Sequence, residues 1–314
     1  MARFSESDVP SSYAPGRKYW LRTANEGGNL RAAVEETRSS GGIAFNEREI
    51  IILIHGYNNH YGEAVQAYVG LRSRQYDLNK EAIRPPDLES ELGDLHWPGD
   101  VDWQELDRLD FLCYPKSLNV AKVAAQRLAA FIEQQPSLLT VNFIAHSMGC
   151  RLTLETIDLL RHESNVKVGR VCLMAAAVPQ FKVRVGGALA LAISHAERVK
   201  VLYSPNDLVL KYAFPPGQTI AGGDEGFFPM ALGRDRPPPD TAGISSDPVL
   251  VPGAGHSDYW GCRDSNASIE SMRAVSSFFE FSTAPRLIDR RAIDERNMLP
   301  ERRSNLSIRQ IGQD

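Results

Sequence analysis

The stretch Phe143-Ile144-Ala145-His146-Ser147-Met148-Gly149-Cys150 passes from an apolar segment through a short turn into a segment with helical spacing. A serine on a tight turn between a buried strand and a helix projects its hydroxyl away from the sheet. The backbone N–H of the next residue and the helix N-terminus can then face developing negative charge. This pattern is a nucleophile elbow, and it predicts Ser147 as a nucleophile with Met148 as one N–H donor.

The turn departs from the strict G-x-S-x-G pattern at its first position, where Ala145 stands in place of glycine. One extra methyl group in a crowded turn requires only a slight adjustment, so we expect the turn to accommodate it. The alternative interpretation is a serine that caps an ordinary helix. The pentapeptide alone does not distinguish a nucleophile elbow from a helix-capping serine. The distinction depends on the rest of the chain.

Apolar segments alternate with segments of helical spacing along the chain. The run at 49–54 is continuously apolar, which is typical of a strand covered on both faces. Further strands are predicted at 18–23 (an edge strand), 94–97, 139–145, 170–175, 199–203 and 248–251, and helices at 61–76, 119–135, 148–161, 185–196 and 268–281. The alternation predicts a doubly wound α/β fold, a mostly parallel sheet with helices on both faces.

Composition divides the chain into three parts. Residues 1–17 are predicted to form a flexible N-terminal arm, and residues 18–283 one α/β domain with insertions near 77–93 and 208–248. The second insertion is rich in proline and glycine, and we expect it to be irregular and either functional or mobile. Residues 284–314 form a charged extension of mixed sign, typical of a solvated helix or of a contact with a second copy or another protein.

Length and charge exclude several classes of protein. At 314 residues and 43% hydrophobic, the chain is long enough for one large core, and its net charge of -4 gives no general attraction to nucleic acid or to anionic membranes. The N-terminus lacks the apolar core of a secretory signal, and no apolar run reaches the ~18 residues of a membrane-spanning helix. We therefore predict a cytoplasmic protein with no stable membrane insertion and no nucleic-acid partner.

Cysteine and histidine spacing gives no metal or cofactor signature. The four cysteines are scattered, which predicts reduced, structural thiols at Cys113, Cys150, Cys172 and Cys262. No His-Glu-x-x-His or paired Cys/His set occurs, and the glycine pairs lack the following Lys-Ser/Thr of a phosphate loop. We predict neither a metal nor a cofactor.

A serine hydroxyl needs a base to accept its proton and an acid to orient that base. On a sheet with a nucleophile elbow these partners follow in the chain order serine, acid, histidine. Asp207 ends an apolar strand in a Ser-Pro-Asn-Asp turn, and His256 lies in a glycine-flanked loop before the last helix. Each alone is more often a turn or solvated loop residue, but their order predicts a triad with Ser147. Asp258 and Asp224 are the alternative acids.

The loop after the strand at 49–54 is the expected source of a second oxyanion donor. Tyr57 is the candidate, with Gly56 and Asn58 as alternatives, because Gly56 removes side-chain bulk beside the turn. His55 is expected to order this loop and not to exchange protons. His146 adjoins the nucleophile, and it is expected to pack beneath the turn.

With these residues, the chain resembles the α/β-hydrolase superfamily and, more narrowly, a bacterial group of uncharacterised serine hydrolases. The resemblance rests on an Ile/Val-rich strand ending in His-Gly-Tyr-Asn-Asn at 50–59, on Trp-Pro at 97–98 and on Ala-His-Ser-Met-Gly at 145–149. It covers roughly residues 45–210, and beyond Asp207 it rests mainly on Gly255 and His256. It implies a triad of Ser147, Asp207 and His256 with oxyanion donors at Tyr57 and Met148, and lipase-like or esterase-like chemistry with no assigned substrate.

These patterns predict a hydrolase that cleaves a carboxylic ester or thioester of a small-molecule or acyl substrate through an acyl-serine intermediate. Two alternatives stay open: an acyltransferase with the same triad, and a binding or scaffold protein that keeps the fold without the chemistry. Apolar residues of the second insertion are candidates for an acyl site, and packing of a surface loop is the alternative for them. They are Phe214, Phe227, Phe228 and Met230.

Overall fold

The computed structural model describes residues 17–20, 38–39, 48–57, 59, 61–80, 88, 92–99, 114–241, 243–244 and 247–281. The predicted arm, apart from its last residue, and the whole predicted extension at 284–314 lie outside these residues, as do Asn58, Cys113 and most of the insertion near 77–93. Within the described part of the chain, no helix is long and apolar enough to cross a membrane.

The strands of the described residues are β1 (Arg17–Trp20), β2 (Arg38–Ser39), β3 (Glu49–Ile54), β4 (Leu92–His96), β5 (Thr140–His146), β6 (Lys167–Met174), β7 (Arg198–Tyr203) and β8 (Val249–Leu250). The α-helices are α1 (Tyr61–Asn79), α2 (Tyr114–Glu133), α3 (Met148–Glu163), α4 (Gln180–Val183), α5 (Ala190–His195), α6 (Phe214–Ala221) and α7 (Asn266–Phe279). A π-helical turn at Val209–Ala213 and 3₁₀ turns at Gly223–Glu225 and Asp258–Trp260 complete the set.

These strands form one sheet in the order β2-β1-β4-β3-β5-β6-β7-β8. Neighbouring strands are parallel, except that β1 and β2 are antiparallel. Helices α1 and α7 contact each other on one face, whereas α2, α3, α5 and α6 pack together on the other. This confirms the predicted doubly wound, mostly parallel sheet with helices on both faces.

The central strands are apolar because both of their faces are covered by helices. In β3, every residue from 50 to 54 is buried, and in β5 every residue from 141 to 146 is buried. The predicted strand at 18–23 is present as β1, but it is not at the edge of the sheet. The two residues of β2 pair outside it, and a strand that short has no periodicity for sequence reasoning to detect.

The segment after Asp207 is more regular than its composition suggests. We expected irregular chain over 208–248, but residues 209–221 form the π-helical turn and α6. Pro215 and Pro216 lie in the first turn of α6, where an N–H has no intrahelical partner to lose and a fixed φ suits the helix. The segment predicted as one helix at 185–196 contains only the short α5, preceded by α4 at 180–183.

A buried ion cluster fixes the turn at Gly223–Glu225 to the helices. The Arg151 guanidinium of α3 makes two hydrogen bonds to Glu225, of 2.9 and 3.1 Å, and the Lys182 Nζ of α4 lies 3.4 Å from the same carboxylate. Lys182 also bonds Asp224 at 2.7 Å. Burial alone would raise the pKa of Glu225, but the bonded Arg151 and the nearby lysine charges hold it below its usual value.

We predict that Glu225→Gln destabilises the fold, because it leaves the buried Arg151 and Lys182 charges without their shared carboxylate. The expected loss in the free energy of unfolding, measured by urea denaturation, is roughly 3 kcal/mol. The matched control is Asp224→Asn, since the Asp224 side chain is 71% exposed. This control should cost less than about 1 kcal/mol. Equal small losses for both variants would contradict the prediction.

Candidate active site

Ser147 lies between the end of β5 and the start of α3 in an unusual backbone conformation. Its φ of 54° and ψ of -124° are uncommon for a residue with a side chain. Three backbone hydrogen bonds hold it there: its N–H donates to Met174 O at 3.0 Å, and its carbonyl oxygen accepts the N–H groups of Cys150 and Ala177, each at 3.1 Å. The Ser147 side chain makes no capping hydrogen bond to α3. This geometry is that of a nucleophile elbow and differs from a serine-capped helix.

Two glycines allow the turn to pack tightly. A Cβ on Gly149 would collide with the carbonyl oxygen of His55 and would lie 2.7 Å from that of Ile54. A Cβ on Gly56 would lie 2.9 Å from Ser147 Cβ and 3.4 Å from Ser147 Oγ. The loop after β3 therefore lies directly against the serine, whereas the methyl group of Ala145 is accommodated in the core.

The structure brings Ser147, His256 and Asp207 together. His256 Nε2 lies 2.9 Å from Ser147 Oγ, and His256 Nδ1 lies 2.7 Å from Asp207 Oδ2. Asp207 is fully buried, and its other oxygen accepts the Leu210 N–H at 2.9 Å. Because an ionised carboxylate can only accept, Nδ1 carries the proton of a neutral His256. Its Nε2 is then left to accept a proton from the serine hydroxyl.

The two alternative acids are engaged elsewhere. Asp258 accepts the Gly255 N–H at 2.8 Å and a bond from Arg263 at 3.1 Å. Asp224 is exposed and bonds Lys182 of the buried ion cluster at 2.7 Å. Neither carboxylate makes a hydrogen bond to His256 among the described residues, which leaves Asp207 as its partner.

His55 orders the loop that carries the predicted oxyanion donor. Its Nδ1–H donates to Gly56 O at 2.9 Å, and its Nε2 accepts from Trp97 N–H at 3.4 Å. The Trp97 indole N–H also donates to His55 O at 2.9 Å. Both ring nitrogens are thereby used, in agreement with the expected ordering role. Tyr57 follows Gly56 directly and is half-buried against the core.

His146 is a residue of this site that sequence reasoning assigned only to packing. Its Nε2–H donates to the backbone oxygen of His256 at 2.7 Å, and the two rings lie 4.8 Å apart. Burial, followed by the nearby His256 charge, lowers the pKa of His146 to about 3. Its Nδ1 is buried without a hydrogen-bond partner in the described structure, which costs about 1 to 3 kcal/mol. Its position next to the serine was the only sequence signal.

The apolar candidates for an acyl site separate into two groups. Phe214 is buried in the core and cannot line an open site. Phe227, Phe228 and Met230 are exposed, and the two phenylalanine rings meet edge to face at 4.9 Å.

The cysteines of the described chain are free thiols. Cys150 and Cys172 are buried, whereas Cys262 is exposed. Burial raises the pKa of Cys172 to about 12, so this thiol stays protonated. Among the described residues no group of three or more His, Cys, Asp or Glu is arranged to hold a metal ion.

Comparison with known proteins gives one family match. Residues 36–214, more than half of the chain, match the family described as "Alpha/beta hydrolase of unknown function (DUF900)". The chain belongs to this α/β-hydrolase family. The narrower resemblance to a bacterial group with the His-Gly-Tyr-Asn-Asn and Ala-His-Ser-Met-Gly motifs stays a prediction. No curated protein matches the chain significantly.

Several solved structures are similar in fold. Carboxyl esterase 2 from the mycorrhizal fungus Tuber melanosporum is 10% identical, with a TM-score of 0.47, over 90% of this chain and 91% of that one. Est1E from Butyrivibrio proteoclasticus, solved with ferulic acid, is 12% identical, with a TM-score of 0.41, over 75% and 90%. An esterase from Pyrobaculum calidifontis is 13% identical, with a TM-score of 0.41, over 78% of each chain. With sequence identities and TM-scores this low, the activities of these proteins are not evidence for the activity of this chain.

We predict that His146 makes the free energy of unfolding depend on pH. Its pKa is about 3 in the folded chain and about 6.5 when unfolded, so the unfolded state binds more protons between these values. The stabilisation is complete above about pH 6.5 and is lost on acidification by about 1.4 kcal/mol per pH unit. His146→Gln should remove this slope from urea unfolding curves recorded between about pH 7 and pH 5. If the free energies of unfolding of wild type and His146→Gln changed in parallel with pH, this prediction would be wrong.

Proposed function

We propose that the protein is a serine hydrolase that cleaves a carboxylic ester or thioester through an acyl-serine intermediate. The observation that carries this proposal is the hydrogen-bond chain from Ser147 Oγ through both nitrogens of His256 to Asp207. A serine, a base within hydrogen-bond reach and an acid that orients the base are the parts that nucleophilic catalysis requires.

In the first half-reaction, Ser147 Oγ attacks the acyl carbon while its proton passes to His256 Nε2. The buried Asp207 carboxylate stabilises the imidazolium that forms and keeps the ring in the productive orientation. The tetrahedral intermediate collapses, the bond to the alcohol or thiol breaks, and His256 returns the proton to the leaving group. Water then attacks the acyl-serine with His256 again as base, which releases the acid and restores the serine.

The negative charge of the tetrahedral intermediate needs donors on the opposite side of the acyl carbon from His256. We assign these to the backbone N–H groups of Met148 and Tyr57. Met148 is the first residue of α3, whose N-terminus favours negative charge. Tyr57 follows the glycine that lies against the serine. Loss of one such donor typically raises the barrier by about 3 kcal/mol.

Hydrolysis and acyl transfer share these residues and differ only in the acceptor. If the protein is a hydrolase, the free acid is the main product even when a short alcohol is added as a competing acceptor. Ester formation from the added alcohol as the main product would instead favour an acyltransferase. A folded protein that neither turns over esters nor reacts with a serine-directed probe would favour the scaffold alternative.

We predict that Ser147→Ala abolishes turnover of activated short-chain esters and labelling by a fluorophosphonate probe. Asp207→Asn should keep the geometry but lower kcat by roughly 10⁴-fold, because the wrong imidazole tautomer is favoured. His256→Ala should remove labelling of Ser147. The matched control is Ser194→Ala, an exposed serine of α5, which should leave both measurements unchanged. Wild-type ester turnover by purified Ser147→Ala would end the proposal.

A further inference from the structure

The loop that presents His256 follows β8, and among the described hydrogen bonds those of His256 itself join it to the ends of the other strands. Residues 252–253 and 256–257 form turns, and Gly253 has a φ of 70°. Several of the loop's hydrogen bonds are internal: Ala254 N–H to Val251 O, Gly255 N–H to Asp258 Oδ2, and Asp258 N–H to Gly255 O. Because the other described bonds of the loop are internal, its position relative to the serine depends in part on the hydrogen bonds that His256 makes.

His146 connects this loop to the central strand. It is the last residue of β5 and immediately precedes Ser147. Its ring lies against the ring of His256, and its Nε2–H donates to the His256 carbonyl at 2.7 Å. A carbonyl oxygen can only accept, so Nε2 carries the proton of a neutral ring. The residue next to the nucleophile therefore holds the backbone of the base.

We propose that His146 is a positioning residue, whose Nε2–H fixes the backbone of His256 and so sets the distance from His256 Nε2 to Ser147 Oγ. The proposal rests on the proposed function, since it assigns His256 as the base. It assigns no proton transfer to His146, because the ring contacts neither the serine oxygen nor the acid among the described hydrogen bonds.

A histidine suits this task better than an apolar side chain of similar size. Phenylalanine or leucine would fill the same buried space and would leave no buried nitrogen without a partner, as His146 Nδ1 is. What such residues lack is a donor for the His256 carbonyl. If His146 served packing alone, its replacement by phenylalanine would leave catalysis intact wherever the protein folds.

The test compares His146→Phe with His146→Gln, whose amide N–H can reach the same carbonyl. We expect His146→Phe to lower kcat roughly 10- to 100-fold, as expected for a displaced catalytic group, with KM within about twofold. The rate of Ser147 labelling by a fluorophosphonate should fall in parallel. His146→Gln should recover most of both rates. The matched control is His195→Phe, an exposed histidine at the end of α5, which should behave as wild type.

A second measurement needs no turnover: hydrogen–deuterium exchange of the backbone amides at 254–258. Exchange should be faster in His146→Phe than in wild type, and slowed again in His146→Gln. A folded His146→Phe with wild-type kcat, equal losses in both variants, or unchanged exchange would each overturn the positioning role. His146→Leu provides the same comparison should phenylalanine not fit. An inactive, unlabelled wild type would refute the proposed function, while exchange would still decide the role of His146.

Discussion

The site depends on the close approach of the parallel strands β3 and β5 at their carboxyl ends. Gly56 lies against Ser147, and Gly149 at the start of α3 lies against the carbonyl oxygens that end β3. Neither position has room for a side chain without movement of its neighbours. The serine, the N-terminus of α3 and the loop after β3 are thereby packed as one unit. The strained φ of Ser147 is sustained by this packing and by two backbone bonds to the β6 end.

The order of the strands supplies the partners of the serine. Strands β5, β6, β7 and β8 are consecutive neighbours in the sheet. Asp207 follows β7, and His256 follows β8, so both side chains emerge at the same edge as Ser147. The chain between β6 and β7 also contributes, since Ala177 donates to the serine carbonyl. Residues separated by 49 and 109 positions in sequence thus meet within hydrogen-bond distance.

The sheet and the three side chains that meet at the elbow could be predicted from the sequence because each has a local signature. A buried strand is a run of apolar residues, and the elbow, the Ser-Pro-Asn-Asp turn and the glycine-flanked histidine are short motifs. Sequence reasoning could not predict β2, which has only two residues, or the helical structure after Asp207, where prolines at a helix start look like helix breakers. The bond from His146 to the His256 carbonyl was also beyond it, because it joins residues 110 apart through a backbone atom.

Three imidazoles surround the elbow, and their hydrogen bonds divide the work between them. His55 uses one nitrogen as donor and the other as acceptor, and both bonds order the loop after β3. His146 donates from Nε2 and is kept neutral by burial. Only His256 has one nitrogen on a carboxylate and the other on a hydroxyl. In the proposed reaction, the ring that accepts the proton of Ser147 is therefore the one that faces the buried Asp207 carboxylate. Because burial keeps the pKa of the adjacent His146 low, a proton taken up by His256 in that reaction would meet no second positive charge on the neighbouring ring.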